Sequence, residues 1–398
     1  MLYRSMPNIP EKLSILGFGA MRLPMKDGAI DERKATELLR YAIDRGVNYI
    51  DTAWPYHEGE SEPFLGRALG EGYRDKVKLA TKLPSWLIDS AEKMEHYLDR
   101  QLERLRTSHI DYYLLHTLNG SLWDKLQKLD VMEFLRKAKA DGRIVHSGFS
   151  FHGNLKDFKR IVDDATWDFC QIQYNYLDEK HQAGTEGLDY AARKGLGIIV
   201  MEPLRGGNLA ARKQPAEIER LWSGARPSGT PAEWALRWLW NRPEITVVLS
   251  GMNEKTQIEE NLAIADKAQP DTLTDAELEL VRQVALKYQE IVKVGCTGCD
   301  YCLPCPEGVN ISACFDIYND LHMYGEKTSS MFKYVVRNGG LQTGDPGYAS
   351  LCVQCQECVE KCPQELSIPE LLEDVAGDLE GPGLPEMEKR VKQFFKGS

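Results

Sequence analysis

Short apolar runs rich in Val, Ile, Tyr or Leu recur through the first 270 residues, at 13–20, 47–53, 77–83, 109–116, 144–150, 169–174, 197–204 and 245–251. Between them, apolar positions repeat every three to four residues, the period of an amphipathic helix. In 31–45, Ala35, Leu38, Leu39 and Ala42 share a face and Gly46 stops the helix. In 90–106, Met94, Leu98, Leu102 and Leu105 form one stripe, and Asp31 and Ser90 stand as N-caps of the two helices. Eight strands alternating with helices over about 250 residues predict an α/β fold, a closed (β/α)8 TIM barrel. A doubly wound open sheet would want a Gly-rich dinucleotide turn after an early strand. The only near match, Gly17-Phe-Gly19-Ala-Met-Arg22, lacks the third Gly and no helix follows it at once.

From Asp271 the pattern changes. Residues 274–294 predict one amphipathic helix, with Leu278, Val281, Val284, Ala285, Tyr288 and Val292 on or near its apolar face. The segment 295–370 is loop-rich, with a helical stretch near 311–324, and 385–398 predicts a short tail helix docked back on the body. The organisation expected is a barrel over 1–270, a linking helix over 271–294, a small cysteine-rich domain over 295–372 and a tail over 373–398.

Charge and cysteine sharpen that boundary. Of 398 residues, 1–270 hold 38 Lys+Arg and 39 Asp+Glu, whereas 271–398 hold 11 and 21, a net of -1 against -10. Nine of ten cysteines fall between Cys296 and Cys362. An acidic surface argues against nucleic acid, which needs a basic face. No run approaches the roughly 20 apolar residues of a membrane span. The amino terminus MLYRSMPNIPEKLSIL lacks the apolar core of a secretory signal, so a soluble, cytoplasmic chain is expected.

Functional residues of such a barrel gather at the C-terminal ends of its strands. Here one strand ends in Asp51-Thr-Ala-Trp-Pro-Tyr56, the next in Lys82 and the next in His116. Together they suit carbonyl reduction. A phenol titrates near 10, a buried ammonium beside it lowers that value, and a carboxylate keeps the ammonium charged. Tyr56 would be the acid, Lys82 its tuner, Asp51 the ion partner, and a neutral His116 would orient the carbonyl.

Over roughly residues 10–268 the chain resembles the aldo-keto reductases, through Gly17-Phe-Gly19-Ala-Met-Arg22, Asp51-Thr-Ala-Trp-Pro-Tyr56 with Glu60-Ser-Glu62, Ala80-Thr-Lys82, Leu114-Leu-His116 and Gly251…Glu260-Asn261. The resemblance implies a nicotinamide dinucleotide extended across the barrel top and a small carbonyl substrate. Carried over, Gly19, Met21, Arg22 and Leu204 line the cofactor, Ser150 and Gln171 contact the carboxamide, and Met201 stands where a ring stacks under the nicotinamide. Gly251, Asn253, Gln257, Glu260 and Asn261 then hold the adenosine end. Three positions depart from the family pattern: Phe151 stands for Asn, Met201 for an aromatic ring, and Glu254 for the Arg of NADP-dependent members. NADP is the family default, and a carboxylate at 254 keeps NAD open, with Lys255 as a compensating charge. Specificity falls to loops 54–62, 84–89, 117–123 and 205–230, where Trp54, Trp86 and Trp123 suggest an apolar pocket.

The second chemistry is in Cys352-x2-Cys355-x2-Cys358-x3-Cys362-Pro363, a string that wraps a [4Fe–4S] cubane. Cys296-x2-Cys299-x2-Cys302-x2-Cys305-Pro306 repeats it with its last gap one residue short. Structural zinc prefers two separated pairs, and a reducing compartment disfavours disulfides. The two strings resemble the two-cluster bacterial ferredoxin cassette, which implies one cluster on Cys296, Cys299, Cys302 and Cys362. The other falls to Cys352, Cys355, Cys358 and Cys305, with Cys314 as the substitute for Cys305; a single cluster on the second string is the alternative. Cys170 reads as a core residue.

The function expected is therefore an NAD(P)-dependent oxidoreductase acting on a carbonyl, joined to an iron–sulfur electron-transfer domain. Hydride transfer moves two electrons and a cubane one, so a direct relay would need an intermediary such as a flavin, for which no signature is present. An electron-transfer or docking protein for a basic redox partner, with the barrel as scaffold, is one alternative. Structural or regulatory clusters beside an independent reductase are the other.

Overall fold

The computed structural model describes residues 1–210, 214–225, 228–291, 293–296, 302–341, 344–362 and 366–396. Its first unit is built on eight parallel strands: β1 (Leu16–Gly19), β2 (Tyr49–Asp51), β3 (Lys78–Leu83), β4 (Ile110–Leu118), β5 (Ile144–Phe151), β6 (Phe169–Gln173), β7 (Gly197–Met201) and β8 (Ile245–Ser250). They close in sequence order, β8 pairing with β1 through Ser250 and Phe18, so the sheet has no edge. β1 is followed by a single 3-10 turn, Ala20–Arg22, which rules out the dinucleotide-binding open sheet.

Helices cover the outside, as the periodicity predicts. Glu32–Ile43 buries Ala35, Leu38, Leu39 and Ala42. The Asp31 side chain accepts from the Lys34 amide, and Gly46, at φ +95°, turns the chain away. Ala91–Leu105 buries Met94, Leu98 and Leu105. Ser90 occupies its N-cap position without a capping bond; its hydroxyl bonds the Glu92 carboxylate instead. Inside the barrel, Tyr49, Tyr112 and Phe169 stack edge to face at 5.2 Å spacings. Gly17 keeps the lumen closed: a Cβ there would stand 2.7 Å from Leu249 and 2.8 Å from Val247.

Cα packing divides the chain into two compact units, Met1–Arg212 with Gly224–Arg282, and Lys213–Ser223 with Gln283–Lys396. The helix expected over 274–294 runs Asp275–Glu290, so the division falls within it; Val292 lies outside the described residues. The second unit is more helical than its sequence suggests. Besides Ile311–Tyr324 and the tail Leu384–Lys396, it contains Lys327–Asn338 and Ile368–Leu379. Its own core joins Ile311, Phe315, Tyr334, Val335, Leu372, Val375 and Val391. Val391 and Met387 of the tail are buried there, so the tail does dock. Among the described residues no helix is long and apolar enough to cross a membrane.

Candidate active site

Parallel closure puts the ends of β2, β3 and β4 side by side, with Asp51 opposite Ala80 and Lys82 opposite Leu114. Lys82 extends from β3 fully buried. Its Nζ donates to Asp51 Oδ1 at 2.7 Å, to the Thr52 carbonyl at 2.8 Å and to the Tyr56 hydroxyl at 3.4 Å. The His116 ring stands edge-on to Tyr56, 6.1 Å between centroids, and tilts against Trp86 at 5.2 Å. The structure thus brings Asp51, Tyr56, Lys82 and His116 together at one mouth.

Burial sets the charges. It works to lower the Lys82 ammonium, but Asp51 and Tyr56 outweigh it and hold the group above its ordinary value. Burial, seconded by Lys82 and His152, pushes His116 well down, so the imidazole is neutral. Its Nδ1 is buried with no hydrogen-bond partner. Tyr56 differs from expectation. Lys82 pulls its phenol down, but burial is the larger effect and leaves it above its ordinary value. Placing a phenolate away from water costs more than the nearby ammonium returns.

Behind Lys82 lies a polar layer that the strand-end argument does not find. Glu62 is buried and accepts from Thr81 Oγ1 and Gln101 Nε2, both at 2.6 Å, while Arg104 stands 3.4 Å from its other oxygen. Gln101 Nε2 also donates to the Lys82 carbonyl at 3.0 Å. The visible signal was the i, i+3 spacing of Gln101 and Arg104 on the Ala91–Leu105 helix. Glu62→Leu would strand several buried donors and is expected to cost about 3 kcal/mol of stability, read by denaturant unfolding.

Ser150 and Gln171, the residues expected to meet a nicotinamide carboxamide, lie side by side on β5 and β6. Ser150 Oγ accepts from the Thr117 amide at 2.8 Å and keeps its own proton to donate. Gln171, beside it in register, places Nε2 3.5 Å from the Met201 sulfur and leaves Oε1 buried without a partner. That orphaned acceptor fits a carboxamide N–H. Phe151 does not contribute, since its ring is fully buried against Phe158.

The remaining cofactor positions divide. Arg22 lies between two glycines: a Cβ at Gly206 would sit 3.0 Å, and one at Gly251 3.1 Å, from its side chain. Gly19 faces the Ser250 carbonyl, which a Cβ would meet at 3.6 Å, and Met21 is exposed. Met201 and Leu204 are half-buried at the end of β7 and just beyond it. Asn261 donates to Ser250 Oγ at 3.1 Å. Gln257 is occupied locally, its Oε1 accepting from the Asn253 and Glu254 amides, and Glu260 accepts from Thr230. The charge beside Glu254 is Lys34, at 2.7 Å; Lys255 instead lies 3.8 Å from Glu259. Lys34 comes from another βα unit, so no local reading could pair them. Of the three loop tryptophans, Trp123 is core, Trp54 is buried against Tyr97, and only Trp86 meets the site.

Residues 15–285 match the Aldo/keto reductase family. The chain belongs to that family. Among relatives of this aldo/keto reductase, L-galactose dehydrogenase of Arabidopsis thaliana is 28% identical over 65% of this chain and 86% of its own. Aflatoxin B1 aldehyde reductase member 4 of Homo sapiens is 26% identical over 63% and 88%. The solved holo form of aldo-keto reductase AKR11C1 from Bacillus halodurans is 26% identical, with a TM-score of 0.62, over 71% of this chain and 96% of that one. The aldo/keto reductase match does not extend past residue 285; residues 295–366 match a 4Fe-4S dicluster domain.

In that second unit Cys302, Cys305, Cys352, Cys355 and Cys358 line one small hollow together with Pro369 and Leu372. The Cys358 thiol is raised by burial and by the neighbouring Cys352, Cys305 and Cys355, so these four sulfurs share one field. They are the four expected on the second cluster; Cys302, expected on the first, lines the same hollow. A cubane binds each thiolate to a different iron, and a ring of cysteines around a common hollow suits it. Cys314 is elsewhere. It is buried in the core with Sγ 3.6 Å from the Tyr334 hydroxyl and 3.7 Å from the Gly347 carbonyl, and burial pushes its thiol up to about 12. For the first cluster Cys296, Cys302 and Cys362 are described and Cys299 lies outside the described residues. Cys170 is fully buried on β6.

Proposed function

We propose that this aldo/keto reductase reduces a small carbonyl compound with NADPH or NADH, or runs the reverse oxidation, with Tyr56 as the acid. The observation that carries the proposal is the Lys82 ammonium bridging Asp51 and the Tyr56 hydroxyl beside a neutral His116. A bound nicotinamide supplies the hydride. His116 donates a ring N–H to the carbonyl oxygen and fixes its direction. Tyr56 gives its proton to that oxygen as negative charge develops there, Lys82 stabilises the phenolate left behind, and Asp51 keeps Lys82 charged. Ser150 and Gln171 would hold the carboxamide, and Arg22, between Gly206 and Gly251 and 3.9 Å from Glu202, would meet an anionic part of the cofactor. Anaerobic titration with NADPH and NADH, then assay with simple aldehydes, tests this. Loss of all nicotinamide binding in a folded protein would overturn it.

Cofactor choice turns on Lys34 and Glu254. Their ion pair offsets the carboxylate that would repel a 2′-phosphate, so NADP is retained beside NAD. Glu254→Gln frees Lys34 and is expected to tighten NADPH relative to NADH about fivefold, the worth of one exposed charge interaction, in a fluorescence titration.

The cysteine unit is proposed to hold two [4Fe–4S] clusters and to exchange single electrons with a basic redox protein. Supporting this, Cys355 is exposed while the other described cysteines are not, and Val353 beside it is 61% exposed. Between Cys352 and Glu380 the chain carries eight carboxylates and one lysine. Complementary charge of that kind speeds encounter between redox partners.

A further inference from the structure

The turn that carries Tyr56 is strained. His57 and Glu58 follow it at φ +54° and +56°, a left-handed conformation that costs a side-chain-bearing residue of order 1 kcal/mol or more. A glycine would adopt it freely, so the imidazole must return something for its place.

It makes a specific contact. His57 Nε2 accepts the Leu23 amide at 3.1 Å, and Nδ1 lies 3.2 Å from the Met25 sulfur. A backbone N–H can only donate, so the ring is neutral with its proton on Nδ1. Burial holds the imidazole at about 4, against the nearby Ala20 carbonyl, so that form persists at ordinary pH. Leu23 and Met25 belong to the segment after β1 that carries Met21 and Arg22. The clip therefore ties the turn after β2, with the acid on it, to a segment assigned to the cofactor. Ser61 ties the same two segments from the other side, bonding Thr52 Oγ1 at 2.9 Å and the Ala20 carbonyl at 3.2 Å. Thr52 in turn gives its carbonyl to Lys82. Ser61 secures the base of the turn, and His57 secures the residue next to the phenol.

We propose that His57 is the positioning residue of the acid, its imidazole clipping the Tyr56 turn to the Leu23 amide and so fixing the hydroxyl against Lys82. The proposal rests on Tyr56 being the acid. A displacement of about 1 Å at a reacting group can cost up to a hundredfold in rate.

His57→Gly is the informative variant, because glycine accepts the left-handed backbone and the chain should fold with unchanged or higher thermal stability. The expected result is a kcat for carbonyl reduction lowered about ten- to a hundredfold, with the NADPH dissociation constant within about threefold. His57→Gln, whose amide oxygen can accept from Leu23, should recover most of the rate. In a Tyr56→Phe background, His57→Gly should lower the residual rate no further, since there is no phenol left to position. Hydrogen exchange at the Leu23 amide reads the clip without any catalysis: faster in His57→Gly, slow in His57→Gln. Unchanged Leu23 exchange would overturn the clip. Faster exchange with an unchanged kcat would overturn the positioning role while leaving the reductase intact. Wild-type protein that reduces no carbonyl would overturn the reading of Tyr56 itself, and with it the purpose assigned to His57.

Discussion

Replacing Tyr56 with Phe is expected to lower kcat for carbonyl reduction about a thousandfold while leaving nicotinamide binding nearly unchanged. Phe fills the same space, so the loss reports the proton and not the shape of the site. Single-turnover reduction at saturating NADPH measures it, and a rate within a few fold of wild type would remove Tyr56 from the mechanism. The pH dependence follows from the direction of the phenol's shift. Burial, the largest influence, raises Tyr56; Lys82 works against it and Asp51 with it, and the result is above the ordinary value near 10. The phenol therefore stays protonated through neutral and mildly alkaline pH. Reduction should hold level there and fall only above about pH 10, whereas the reverse oxidation, which needs the phenolate, should rise with pH. Lys82→Met deletes the cation that lowers the phenol's pKa, and should slow the oxidation more than it slows reduction.

Replacing Cys305 with Ser is expected to cut bound iron from about eight to about four per chain, with an equal loss of sulfide, after anaerobic purification. Cys314→Ser should leave the iron content unchanged. The reason is placement: Cys305 lines the hollow with Cys352, Cys355 and Cys358, and Cys314 is packed against Tyr334. The opposite pattern of iron loss would exchange the two ligands. Carbonyl reduction by the same Cys305→Ser protein separates a barrel that works alone, with the rate retained, from one whose turnover depends on the clusters.

Much of the barrel is legible in the chain because its signals are local. The period of apolar residues, the cap at Asp31 and the stop at Gly46 each act within one helical turn. Asp51, Lys82 and His116 are legible for the same reason: each lies at or near a strand end, with Tyr56 on the turn that follows β2, and strand ends of a closed parallel barrel share one face. The two helices Lys327–Asn338 and Ile368–Leu379 are less so. Beside the cysteine spacing they read as connecting chain, and their buried faces, with Tyr334, Val335, Leu372 and Val375, make sense only against each other.

What the sequence determined by itself is composition with order: eight strand-and-helix units, a tetrad at three strand ends, and two four-cysteine strings in an acidic tail. What tertiary structure decided is every relation between groups far apart in the chain. It set Lys34 against Glu254, and it put Cys305, not Cys314, with the second string. It gave His57 the Leu23 amide as partner and made burial outweigh Lys82 at Tyr56. The physical reason is common to all four. Periodicity and spacing report neighbours along the chain, whereas desolvation and hydrogen-bond partners depend on which segments the fold brings together.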